Sequence, residues 1–124
     1  MALTLATPGR NATCDGFVDP LNSGKIKIYS STPTLLATLT FNATAFGNAG
    51  ASVAGRADAN AITSGTAVAT GAAATFDICK SDDTVMGSGT CGTSGADMNF
   101  SGTTTITSGQ TVSCSSFQIT APAS

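Results

Sequence analysis

The chain has no histidine, no glutamate and no tryptophan, and only 10% of its 124 residues are charged. Each absence removes a class of chemistry. A serine or cysteine nucleophile ordinarily hands its proton to a side chain that titrates near neutrality, and histidine is that side chain. A Ser–Lys dyad would need Lys25, Lys27 or Lys80 deprotonated, and lysines on a solvated strand face stay charged. All seven acids are aspartates, and no pair of them stands out for acid–base work. Asp82-Asp83 has no EF-hand spacing and reads as a solvated turn. Without histidine or a Cys-x-x-Cys spacing, zinc has no ligand set. No catalytic residue, metal or cofactor is therefore expected, and the chain does not read as an enzyme.

The shortage of charge also limits the partners. The five cations, Arg10, Lys25, Lys27, Arg56 and Lys80, are scattered, so no basic patch forms and nucleic acid is not an expected partner. No apolar run approaches the ~20 residues that span a bilayer, so no membrane partner is expected. Met1 to Pro8 lack the charged start and long apolar stretch of a signal peptide. The expectation is a chain made and kept in the cytoplasm, or leaving by a non-secretory route.

What is present is small and hydroxylated: 20 alanines, 21 threonines and 14 glycines. The length suits one domain with a real core. Scarce lysine and absent glutamate leave few fillers for exposed helix faces, whereas threonine and glycine favour short strands and tight turns. With 41% hydrophobic residues and a net charge of −2, the composition is not that of a disordered chain.

Spacing predicts a short helix over residues 8–19. Thr7 is the candidate cap and Pro8 suits the first turn. Cys14, Phe17, Val18 and Leu21 recur at i, i+3, i+4 and i+7. Gly16 weakens this helix and Pro20 should end it. The period then changes to two. Ile26 and Ile28 alternate with Lys25, Lys27 and Tyr29, and Leu35, Ala37, Leu39 and Phe41 alternate with Leu36 and threonines. This predicts a hairpin, with the lysines guarding the first strand against edge pairing. Residues 43–55 are aperiodic and predict a crossing loop anchored by Phe46. Short strands follow over 57–62 and 66–70, with Ser64-Gly65 as a turn. In 73–80, Ala74, Phe76 and Ile78 face inward and Asp77 and Cys79 outward. Ser81 to Asp83 turn the chain into a return strand. Strands near 97–100 and 103–106 precede a Ser108-Gly109 turn. A last strand over 110–120 changes phase at Ser115-Ser116, where a β-bulge would restore one inner face. The sum is a mainly β chain, an antiparallel, jelly-roll-like β-sandwich. Residues 1–23 form an N-terminal arm or short helix and residues 24–124 the β domain.

Cysteines stand at 14, 79, 91 and 114. Free thiols are the default, and Cys79–Cys91 is the candidate disulfide, since a continued hairpin would carry Cys91 back past Cys79. Three glycosylation sequons, at Asn11, Asn42 and Asn99, are what chance supplies among so many threonines. Gly89-Thr90-Cys91-Gly92-Thr93-Ser94-Gly95-Ala96-Asp97-Met98-Asn99-Phe100 resembles an active-site loop. It lacks a base and the G-x-S-x-G spacing, and no helix follows it, so it reads as a turn.

Several stretches together carry a family resemblance. They are Lys25-Ile26-Lys27-Ile28-Tyr29-Ser30 with Leu35-Leu36-Ala37-Thr38-Leu39-Thr40, then Ala45-Phe46-Gly47, then Gly92 to Phe100, then Phe117-Gln118-Ile119-Thr120. With the segment from Arg10 to Leu21, they are similar to small virion proteins that tailed phages and prophages encode near their head genes. The resemblance spans most of the chain in the same order, and its motifs are structural. Cys14, Gly16 and Pro20 make the helix segment less regular than the group's. The resemblance implies a capsid decoration, or cement, protein on the virion surface, made in the host cytoplasm. Its implied partners are the major capsid protein and two further copies of itself in a homotrimer. Expected contact residues are Leu3, Leu5 and Arg10 of the arm and Phe46 and Val53 of the loop. The alternatives are another virion subunit (tail, collar or head fibre) or a carbohydrate-binding or adhesin module.

Overall fold

The structure is a computed structural model and describes residues 4–51, 54–100, 103–114 and 116–120. Residues Thr7–Val18 form α1. Ala6, in extended conformation, precedes the helix, and no side chain caps its amides. Thr7 is thus inside the helix and is not its cap. Pro8 starts the helix instead, because its fixed φ suits the first turn and it has no N–H to satisfy. The α-helix stops at Val18, and Asp19–Leu21, with Pro20, add one 3-10 turn. The predicted stripe faces inward: Cys14, Val18 and Leu21 are buried and Phe17 is half-buried. Polar contacts anchor the helix to distant segments. Asn11 Oδ1 accepts from the Gly55 amide (2.7 Å), Asp15 Oδ1 accepts from the Ala49 amide (2.8 Å), and the Cys14 thiol donates to the Ile119 carbonyl (3.2 Å).

Short strands make up most of the remainder: β1 (Lys25–Tyr29), β2 (Leu35–Thr40), β3 (Arg56–Asp58), β4 (Gly65–Thr66), β5 (Gly71–Ala72), β6 (Thr75–Cys79), β7 (Val85–Gly92), β8 (Met98–Asn99), β9 (Thr105–Ile106), β10 (Thr111–Val112) and β11 (Gln118–Thr120). The fold is mainly β with one short N-terminal helix and a curled, mixed sheet. The sheet runs β2-β1-β6-β7-β8; its pairs are antiparallel except β7–β8, which is parallel. Ile26 lies opposite Leu39 and Ile78, and Ile28 opposite Ala37 and Phe76. The alternation of these strands is therefore the inner face of the sheet, as the period of two requires.

Five expectations need correction. β1 is an interior strand, so its lysines guard no edge. Leu36 is buried although it belongs to the polar phase of β2, because a register shift at Ile28/Tyr29 opposes Ala37 to Ile28 and Leu35 to Tyr29 and makes Leu36 the extra residue. Cys79, expected to face outward into solvent, is fully buried, although it keeps the phase of Asp77, pairs in register with Lys25 and stays outside the core cluster. Residues 43–55 do not simply cross between sheets. Phe46 pairs with Ala59, the Gly47 amide donates to the Asp58 carbonyl (3.0 Å) and the Asn60 amide to the Ala45 carbonyl (2.9 Å). Finally, the long last strand is two separate ones: β10 pairs with β4 and β11 with β3. The slipped phase coincides with this change of sheet partner; Ser115, where the bulge was expected, lies outside the described residues.

The smaller pairs, β4–β10, β3–β11 and β5–β9, close over the sheet's inner face. Segment 63–68 also covers the outer edge of β2, through paired bonds between Thr40 and Thr63 and a 2.8 Å bond from the Val68 amide to the Leu36 carbonyl. The core joins Ile26, Ile28, Leu39, Ile78, Ile106 and Val112 to an aromatic cluster of Phe41, Phe46, Phe76 and Phe117, with neighbouring ring centroids 5.3–6.3 Å apart.

Candidate functional site

The charges gather where β1 meets the β6–β7 turn. Asp83, at φ 70°, aims one carboxylate oxygen at Lys25 Nζ (2.7 Å) and Lys27 Nζ (3.1 Å). Hydrogen bonds from Lys25 and Lys27 hold the Asp83 carboxyl below the ordinary 3.8, and the bond to Asp83 raises Lys27 above the ordinary 10.5. The signs differ. A carboxyl depressed on folding stabilises above its unfolded pKa and loses that contribution as pH falls through the folded value. A raised lysine contributes below its unfolded pKa and loses that contribution as pH rises through the folded value. Stability should therefore drop below pH 3.8 and above pH 10.5. Asp83→Asn should flatten both limbs while leaving the fold intact. Urea midpoints of the two proteins across that pH range measure this, and identical acid limbs would refute it.

The loop that resembled an active site is a structural turn. Cys91 and Gly92 end β7, Gly95 takes φ 70°, and Ser94 is exposed at the tip. Asp97 Oδ2 accepts from the Thr90 amide (2.9 Å) and hydroxyl (3.3 Å). Asn99 bonds both the amide (3.0 Å) and the carbonyl (3.1 Å) of Ala96. These bonds coil residues 93–97 back so that Met98 lies parallel to Cys91 after only a few residues. Burial, and secondarily the Asp97 charge, push the Cys91 thiol up to about 11. Burial also raises Cys79 and Cys114. A thiol that keeps its proton is a poor nucleophile and a poor metal ligand. Among the described residues no cluster of Cys and Asp side chains is placed to hold a metal ion, and no helix is long and apolar enough to cross a membrane.

Between the sheet and the C-terminal strands lies an open cleft of about 700 Å³. Its walls mix the rings of Phe100 and Phe117 with the amides of Asn99, Gln110 and Gln118 and several Thr and Ser hydroxyls. Asp97 is the one ionisable carboxylate on its wall. The arrangement can hydrogen-bond and stack; it offers no acid–base pair.

The residues expected to make contacts are dispersed. Leu5 is half-buried and folds back toward Gly9, where a β-carbon would meet it at 3.8 Å. Arg10 is half-buried on α1. Phe46 is only 6% exposed and packs on Phe41 and Phe117, so it belongs to the core and cannot be a contact residue. Leu3 and Val53 lie outside the described residues. The candidate disulfide is not formed: Cys79 and Cys91 are separate thiols, with Cys79 opposite Val85 and the Cys91 amide bonded to the Ala74 carbonyl at the other end of the hairpin. Strand rise puts such positions more than ~12 Å apart, beyond the Cα separation a disulfide bridges.

The sequence reading missed a surface instead. From Thr66 to Ala72, Thr66, Val68, Thr70 and Ala72 are exposed while Ala67 is buried and Ala69 and Gly71 are half-buried. This ridge, bent at Val68 and Ala69, presents Val68 at 68% exposure, and the chain has no charged residue between Asp58 and Asp77. That uncharged run was the available signal. No family model, no curated protein and no solved structure matches this chain.

Proposed function

We propose that this chain is a structural virion protein, a capsid decoration protein that binds the outer surface of a major capsid protein shell as a homotrimer. On this reading the small strand pairs and the five-stranded sheet are the two layers of a jelly-roll-like sandwich, and the protein acts by contact without chemistry. The observation that carries it is the uncharged ridge of Thr66, Val68, Thr70 and Ala72 on a hydrogen-bonded β frame. Small neutral side chains cost little desolvation and little rotamer entropy on burial, which suits docking over a broad protein surface. A modest contact repeated many times stabilises whatever assembled form it selects.

Purified protein should co-sediment with empty expanded shells and not with immature ones. Val68→Glu should weaken that binding at least tenfold, by placing a charge in the interface, and leave thermal unfolding unchanged because Val68 is exposed. Binding to tails instead of shells would overturn the reading.

The cleft favours a second reading, a module that binds neutral saccharide by stacking on Phe100 and hydrogen bonding to Gln110 and Gln118. Saturable saccharide binding lost in Phe100→Ala and retained in Val68→Glu would select it.

A further inference from the structure

The two edges of the main sheet are treated differently. The outer edge of β2 is covered by residues 63–68. β7 is eight residues long, yet β8 pairs with it only at Cys91 and Gly92. From Val85 to Gly89, β6 is its single strand neighbour among the described residues. Proteins normally guard such an edge with charge, proline or a covering segment. Val85-Met86-Gly87-Ser88-Gly89 has neither charge nor proline, and Val85 is 53% exposed.

Beside this edge lies a groove of about 300 Å³, walled by Phe17, Phe76, Ile78, Phe117 and Ile119 and floored by Gly87 and Gly89. Both glycines are on the inner face, opposite Ile78 and Phe76. At Gly89 a side chain is impossible without moving a ring, since a β-carbon would lie 2.6 Å from Phe76. At Gly87 it would sit at an ordinary 3.5 Å from Ile78 and Phe17, so the space there is free. A second copy of β7 would set glycine against the edge and leave the groove unfilled. One carboxylate, Asp97, stands on the groove wall, while Asp77, bonded to the Ser88 hydroxyl at 2.7 Å, belongs to the opposite face of the sheet.

We infer that the Val85–Gly89 edge accepts an extended segment of a partner protein as an added strand. Its large apolar side chains, at alternate positions, enter the groove over Gly87, and a basic residue at its end faces Asp97. Backbone bonds to the edge would supply affinity and the groove the side-chain preference. This goes beyond the proposed role, because any partner with such a segment would fit.

The test uses a capped peptide of alternating threonine and leucine ending in lysine. Controls are an isomer with the leucines adjacent and a version ending in glutamate. Amide exchange and NMR shifts are read on the full chain. Slowed exchange confined to Val85–Gly89, with affinity at least tenfold above either control, is expected. Gly87→Val should fill the groove and lower affinity at least tenfold with unchanged melting. If that variant fails to fold, Val85→Lys on the exposed edge should give the same loss. Equal binding of all three peptides, shifts elsewhere on the molecule, or full affinity in the folded variants would overturn the inference. So would concentration-dependent protection of the same amides without peptide, which would assign the edge to self-association.

Discussion

Phe117→Ala is expected to remove about 3 kcal/mol of folding stability, the lower end for a truncated phenylalanine because the residue is half-buried. The ring is the hub of the aromatic cluster, with centroids 6.2, 6.3 and 5.8 Å from those of Phe41, Phe46 and Phe76, all edge-on. Edge-to-face pairs contribute beyond their buried area, so its loss leaves three rings with a shared void. It also sits just before β11, which joins the C-terminal segment to β3 and α1. Since single domains hold only about 5–15 kcal/mol in total, the variant should show a markedly lower urea midpoint with an unchanged slope. A loss below ~1 kcal/mol would mean that the rings repack around the gap and that the cluster is not the keystone of the core.

Gly24→Ala should be at least as damaging, for a different reason. Gly24 is buried where β1 starts, and its amide donates to the Leu21 carbonyl (2.8 Å) while its carbonyl accepts from the Phe41 amide (2.9 Å). A β-carbon there would clash with the carbonyl oxygen of Cys79 and lie 2.7 Å from that of Leu21. Both obstacles are backbone, so no rotamer change relieves them, and β1 must move away from β6. A loss of about 3 kcal/mol or more is expected, read calorimetrically as a melting temperature lower by roughly 10 °C or more. Gly16→Ala supplies the contrast. Nothing lies within 4 Å of its would-be β-carbon in α1, so the exchange should stabilise by about 0.5–1 kcal/mol through helix propensity. If the two variants behaved alike, close backbone approach would not be the reason for glycine at 24.

These outcomes depend on what the linear chain states poorly. The β1–β2 alternation was legible because a half-buried strand must place apolar groups at every second residue, and the Cys14, Phe17, Val18, Leu21 stripe because a helix must repeat near 3.6. The Ser81–Asp83 turn and the 93–97 turn were legible from their polar, glycine-rich content. The candidate contacts were less so. Phe46 looked like a loop anchor and is core. The exposed ridge at Thr66–Ala72 looked like an ordinary strand, because an alternation of alanine with threonine or valine does not say which phase is outside.

Local sequence was enough for the class of fold: a mainly β chain with one short helix and two apolar periodicities. Those properties follow from local spacing and from side-chain chemistry, which any stretch of chain carries with it. The pairing of the strands, the register slip that buries Leu36, the division of the last strand between β4 and β3 and the edge left open at Val85–Gly89 all come from tertiary contacts. Each of these is a choice among segments far apart in sequence. It is settled by which combination fills the core and satisfies the backbone bonds, and that quantity exists only once the segments meet.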